Sequence, residues 1–209
     1  MQQRNYQKEL EAILSGLAGG ARPRLLLHSC CGPCSSYVLE YLAPYFSIDV
    51  LFYNPNIQPE AEYEKRLFWQ AYTIRALGLS GQVRLLPAPY RGGDFSAAAR
   101  GLEQEPERGA RCAACFRLRL AEAARQAEAG GYACFATTLT VSPHKDAAAI
   151  NAAGEALARP GGVRWLPSDF KKRGGYQRSI QLCREHGIYR QSWCGCAYAN
   201  PGAAAASSL

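Results

Sequence analysis

Along the chain, short apolar runs alternate with longer amphipathic stretches, and Gly and Pro punctuate the joins. Tyr6 to Leu17 spaces its apolar residues for one helical face and stops at Gly19-Gly20, so residues 1–20 read as an N-terminal helix. Arg24 to His28 then reads as a strand, Ser29 to Cys34 as a turn, and Ser35 to Leu42 as the helix which that turn opens. Ile48 to Tyr53 predicts a second strand, followed by the loop Asn54 to Pro59 and a long helix from Glu60 to about Leu77, ended by Gly78. Val83 to Leu86 gives a third strand. A Pro- and Gly-punctuated stretch leads into a helix over Arg111 to Ala129, and residues 87–130 together read as a helical insertion carrying Cys112 and Cys115. Ala133 to Thr138 predicts a strand, Leu139 to Pro143 a loop, and helix resumes at His144. Val163 to Leu166 predicts the last strand, ahead of the basic loop Lys171 to Gly175 and a helix near Gln177 to Glu185. The tail from Asn200 to Leu209 reads as frayed.

Strands separated by helices imply βα crossovers, so the expected class is α/β: a mainly parallel Rossmann-like sheet, helices on both faces, one domain over residues 1–209. Ligands of such sheets bind beyond the carboxyl ends of the strands. The cysteines cluster there, which predicts a cysteine-rich metal site at that end. Composition fits an ordinary globular protein, with 48% hydrophobic and 20% charged residues. No apolar run approaches the roughly 20 residues that a membrane helix needs, so no membrane is expected. Arg4, Lys8 and Glu9 stand where an export signal would need its apolar stretch, which predicts a cytoplasmic chain. The net charge of +7 favours an acidic partner such as RNA.

In a reducing compartment, nine cysteines in patterned spacings point to metal binding or redox work rather than to disulfide scaffolding. Cys134 lies in a strand pattern and Cys183 in a helical one, where small buried hydrophobes are expected. Cys112-Ala-Ala-Cys115 places two thiolates on one side of a helical turn, a clamp shared by zinc sites and iron-sulfur clusters. The side chains of adjacent Cys30 and Cys31 are expected to diverge, which suits two irons of a cluster better than one zinc. Cys31-Gly-Pro-Cys34 at a helix start also fits a redox dithiol whose thiolate is favoured by the helix N-terminus. Cys194-Gly-Cys196 can close a strained, reducible disulfide, bind metal, or stay as two free buried thiols. His28, at the end of the first strand, can orient a sulfur, donate a proton, or simply be satisfied by backbone. His144 and His186 read as solvated. Asp169 fits a general acid, a helix cap or an ion-pair partner. Lys171, Lys172 and Arg173, with Arg108, Arg111, Arg117 and Arg119, read as phosphate contacts for a nucleic-acid substrate or as solvated surface.

Several ordered motifs carry a family resemblance. They are His-Ser-Cys-Cys-Gly-Pro-Cys over 28–34, Phe-Tyr-Asn-Pro-Asn-Ile-Gln-Pro over 52–59 with Glu62 to Arg66, and Cys112 to Leu120. Phe135 to Lys145, Asp169 to Lys172 with Gly175-Tyr176, and Tyr189 to Cys196 complete the set, so the match spans about residues 24 to 198. In these the chain resembles the cobalamin-independent epoxyqueuosine reductases of the QueH type. The resemblance implies an oxidoreductase that converts epoxyqueuosine to queuosine at the wobble position of tRNA, the last step of queuosine biosynthesis, with an unidentified electron donor. It also implies a 4Fe-4S cluster on Cys30, Cys31, Cys112 and Cys115 and a redox-active pair in Cys194 and Cys196. A second, mononuclear iron would draw on Cys34, Cys194 or Cys196. Tyr53, Tyr176 and Trp193 are the aromatic residues expected to stack an extruded base. The fold also resembles the HUP or PP-loop architecture of ATP-pyrophosphatase-type tRNA-modifying enzymes, but Cys30, Cys31 and Pro33 stand where their phosphate loop would be, so nucleotide hydrolysis is expected to be lost. The rival readings are a thiol-disulfide oxidoreductase using Cys31 and Cys34, and a zinc-stabilised RNA-binding module.

Overall fold

Each strand read from the sequence forms, and all of them join one sheet. The computed structural model describes residues 4–199, so the tail expectation for 200–209 falls outside it. Five parallel strands, β1 (Arg24–His28), β2 (Ser47–Phe52), β3 (Val83–Pro87), β4 (Cys134–Thr137) and β5 (Arg164–Trp165), lie in the order β3-β2-β1-β4-β5. β1 is central, pairing Leu26 with Asp49 on one side and with Phe135 on the other. Side chains alternate across a strand, so the run Leu25-Leu26-Leu27 serves both faces. Leu25 and Leu27 pack with Val38, Leu39 and Leu182, whereas Leu26 packs with Leu120, Phe135 and Ile150. The first group brings α1 (Tyr6–Ser15), α2 (Gly32–Leu42) and α7 (Gly175–Glu185) onto one face. The second brings α5 (Ala110–Ala129) and α6 (Ala147–Leu157) onto the other. α3 (Glu60–Ala76) packs against α2 and carries the crossover to β3.

Two helix starts lie three residues from the sequence reading, and one helix is added to it. α2 starts at Gly32 rather than Ser35, because Pro33 has no N–H to lose and its fixed φ suits a first helical turn. The Cys-Gly-Pro-Cys turn is therefore already helix. α6 starts at Ala147 rather than His144, because Asp146 accepts from the amides of Ala148 and Ala149 and so sets the N-cap. A further helix, α4 (Gly92–Ala98), stands in the stretch between β3 and α5, held by buried Phe95 and by Asp94, which accepts from the Tyr53 hydroxyl at 2.8 Å. Among the described residues, no helix is long and apolar enough to cross a membrane.

Candidate metal centre and substrate cavity

The chain leaves β1 for β2 on one side and β4 for β5 on the other, so the carboxyl ends of β1 and β4 flank the switch point where such sheets bind ligands. Ser29 to Cys34 occupies that crevice. The sulfurs of Cys30, Cys31 and Cys34 all lie within 4.8 Å of one another, and Cys30 Sγ stands 3.7 Å from Cys31 Sγ and 3.7 Å from Thr138 Oγ1. The expected divergence of the adjacent pair does not occur, because the chain turns from strand into helix between them. Nor does charge settle on the dithiol of Cys31 and Cys34. Thiols of Cys31 and Cys34 donate to Cys30 and hold it well below the ordinary thiol range. Donation to Cys30 pushes Cys31 up to about 12, and Cys34 rises for the same cause.

Cys112 and Cys115 stand on the first turns of α5, three residues apart and so on one face. Cys112 Sγ accepts from the Arg108 amide at 3.3 Å. Cys115 packs with Phe95, Cys194 and Cys196, which brings the strap after α7 against the start of α5. That strap is pinned by the Gln58 amide, which donates to the Gly195 carbonyl at 2.9 Å. Gly195 has φ 99°, in the left-handed region, and a Cβ there would sit 2.8 Å from Ile57 and 3.1 Å from Arg66 Nη1. Cys194 and Cys196 are free thiols. Cys196 donates to Cys194, which takes the Cys194 thiol down to about 6 and pushes Cys196 up.

Two adjoining cavities connect these groups. The larger, about 440 Å³, is lined by Cys30, Cys34, Arg66, Tyr176, Trp193 and Cys194 among others. The smaller, about 70 Å³, is lined by Cys112, Cys115, Cys194 and Cys196. Arg119 and Lys145 line both, so two cations face the sulfurs. Arg119 is only 3% exposed; its Nη1 donates to Asn54 Oδ1 at 3.2 Å, and among the described residues it makes no ion pair. Burial pulls the Lys145 pKa down, but attraction to the nearby cysteine sulfurs, Cys30 foremost, outweighs this and leaves it raised. A buried set of soft sulfur donors in positive surroundings fits a thiophilic metal or an iron-sulfur cluster, and the Cys30, Cys31 and Cys34 sulfurs are close enough together to hold a metal ion.

Several candidates take other roles. His28 is fully buried, donates from Nε2 to the Tyr53 carbonyl at 3.1 Å and accepts at Nδ1 from Thr137 Oγ1 at 2.8 Å. Burial, with Arg119 nearby, lowers its pKa to about 3, so it is a neutral brace and not a proton donor. Asp169 pairs with Lys171 at 2.6 Å and Arg173 with Glu11 at 3.0 Å. Lys172 is exposed, and none of these three basic residues lines either cavity. Arg111 and Arg119 are buried, which removes them from any phosphate-binding surface. Tyr53 is committed to Asp94, whereas Tyr176 and Trp193 do line the larger cavity. Cys134 and Cys183 are core residues, as expected. Arg66, Lys145, Asn54 and Asn56 carry site roles that spacing alone does not disclose, although all four lie inside the resembling motifs.

A family model described as "Epoxyqueuosine reductase QueH" matches residues 25–201. The chain belongs to this family. Curated relatives of the same name include one from Staphylococcus epidermidis, 43% identical over 200 residues that cover 93% of this chain and 84% of the relative. One from Streptococcus pyogenes is 44% identical over 180 residues, covering 85% and 71%. The Thermotoga maritima QueH is 34% identical over 185 residues, covering 83% and 88%. Among solved structures, the U34-tRNA thiolase NcsA from Methanococcus maripaludis, with its [4Fe-4S] cluster, superposes with a TM-score of 0.56 at 12% identity. The match covers 95% of this chain and 70% of the thiolase, and that likeness shows the chain's fold.

Proposed function

We propose that the chain reduces epoxyqueuosine to queuosine at the wobble position of tRNA, with a 4Fe-4S cluster ligated by Cys30, Cys31, Cys112 and Cys115. The observation that carries this reading is the convergence of sulfurs at the sheet's switch point, beside a cavity in the size range of small-ligand sites. The relatives' shared name supplies the substrate, and a tRNA thiolase of the same fold carries a [4Fe-4S] cluster, which supports a cluster in this chain too. Turning the epoxide into the alkene takes two electrons and two protons and releases the oxygen as water. When bound, the cluster supplies electrons one at a time.

The chain's own residues meet the other needs. Cys194 lines both cavities, and oxidation of the Cys194 and Cys196 thiols to a disulfide yields two electrons and two protons, which an external reductant must restore. Arg119 and Lys145 favour the thiolate form of Cys30 and of Cys194. Tyr176 and Trp193 offer aromatic surface to an extruded base. Lys171, Lys172 and Arg173 meet backbone phosphates outside the cavity. A tRNA substrate sets the working place in the cytoplasm. One observation favours a second use of the sulfurs: Cys34 reaches the cavity that Cys194 also lines, so a mononuclear iron held there with Cys194 or Cys196 is the alternative to a disulfide.

Protein purified without oxygen tests the reading by its iron, sulfide and zinc content. Roughly four irons with matching sulfide, a broad absorption band bleached by dithionite, and turnover of epoxyqueuosine tRNA are expected. Cys112→Ser loses the iron and the activity. Retained iron with full activity in that variant sinks the ligand set, and zinc without sulfide points to a zinc-stabilised RNA-binding module.

A further inference from the structure

Arg66 is 2% exposed, yet only part of its guanidinium is used. Nε donates to Glu62 Oε1 at 2.7 Å, the cation lies 5.3 Å from the centroid of the Trp193 ring, and buried Nη2 finds no partner among the described residues. A buried donor without an acceptor is costly, so such a group marks a place where something binds. Arg66 lines the larger cavity. Gln191 lines it too, and its buried Oε1 is an acceptor that likewise has no partner among the described residues. Two residues that line the same 440 Å³ space therefore each carry an unpaired polar atom, one a donor and one an acceptor, with Trp193 beside Arg66.

We propose that Arg66 and Gln191 form the base-reading subsite of this cavity, recognising the guanine-like edge of the nucleoside extruded from the anticodon loop. Such an edge offers a carbonyl oxygen, which Arg66 Nη2 supplies with a hydrogen bond, next to ring and exocyclic N–H groups, which donate to Gln191 Oε1. Adenine held in the same pose presents the reverse, an amine where the carbonyl stood and a ring acceptor where the N–H stood, and leaves both groups unpaired. Enzymes acting on a base take it out of the stack and read it by this edge, so both groups belong to substrate choice rather than to the redox step. Held by that edge, the base leaves its modified side free for the sulfur-lined part of the cavity. The inference rests on the reductase reading for the identity of the base.

The test uses the metal-loaded protein and two anticodon stem-loop RNAs that differ only in guanosine or adenosine at the wobble position. The wild type binds the guanosine RNA more tightly, and Arg66→Met and Gln191→Leu each erase about tenfold of that preference while binding the adenosine RNA as before. Because Arg66 is buried against Glu62, its variant can fail to fold. Gln191 is half-buried, so its variant gives an independent answer, with iron content and melting temperature as controls for both. An unchanged preference in the folded variants, or no preference in the wild type, overturns the subsite. Turnover of epoxyqueuosine tRNA on the same wild-type sample separates the two ideas. Turnover without a base preference removes the subsite and keeps the reductase reading; a preference lost in both variants but without turnover supports the subsite and removes the reading beneath it.

Discussion

Gly32 shows how one residue sets the site. It opens α2 between Cys31 and Cys34, and a Cβ there would strike Thr73 Oγ1 and stand 2.8 Å from the Trp69 carbonyl oxygen. Backbone cannot yield as a flexible side chain does, so Gly32→Ala has to push α2 away from α3. The expected cost is about 1 to 3 kcal/mol in a urea melt, with iron content falling because Cys31 and Cys34 move with the helix. Unchanged stability would show that the two helices separate freely at this point. His28 works in the opposite sense. It has all its hydrogen-bonding capacity engaged, ties β1 to β4 and to the loop after β2, and so gives the cysteines a stiff base.

At the scale of elements, β5 is only two residues long and depends on one side chain from α6. Buried Asn151 donates to the carbonyls of Ala147 and Ser168 at 2.8 Å each, and accepts from Trp165 Nε1 and the Ser168 amide at 3.0 Å each. Asn151→Ala leaves Trp165 Nε1 and the Ser168 amide and carbonyl without this partner in a dry place, so a loss of roughly 3 to 5 kcal/mol is expected. Amide exchange over residues 163–168 rises first, whereas protection spread evenly over the sheet would contradict this. Asp49 ties three strands together, accepting from Arg84 of β3 at 2.6 Å, from Arg24 of β1 at 3.4 Å, and from Tyr132. Burial pulls its pKa up, but Arg84 and Tyr132 outweigh that and the net shift is down. A lowered carboxylate pKa stabilises the fold above the unfolded value near 4 and loses that contribution as pH falls through the folded one. With both arginines largely exposed, Asp49→Asn costs about 1 kcal/mol at pH 7, and urea midpoints of variant and wild type converge as the pH falls below the ordinary carboxylate range. These elements also show what a sequence discloses. Leu25 to Leu27, an apolar run between turn signals, gives β1 its observed bounds, and cysteine spacing finds the sulfurs because chelation is local. Gly92-Gly93 hides α4, since glycine argues against helix and the anchor for Phe95 comes from the distant strap. Arg119 reads as a phosphate contact or solvated surface for the same reason: only the packing of remote segments over it makes it buried.

Over the whole molecule, charge and depth divide the work. The net charge of +7 is spread over basic residues of three kinds: buried ones that face sulfur, exposed ones locked in ion pairs, and exposed ones with no acidic partner among the described residues. Only the last kind can exchange small counterions for phosphates without first giving up a bond. Lys172 and Arg190 belong to it, both exposed, and Arg190 lines the larger cavity near its basic wall. Each phosphate neutralised on single-stranded RNA contributes about 0.7 to the slope of log affinity against log salt. Lys172→Ala and Arg190→Ala should therefore each flatten that slope by roughly 0.7 in titrations of an anticodon stem-loop, and weaken binding equally whether the wobble base is guanosine or adenosine. Gln191→Leu should do the reverse, changing base preference at constant slope. A slope unmoved by both alanine variants would place the RNA backbone on another face of the protein, and would leave the +7 charge without a part in holding the substrate.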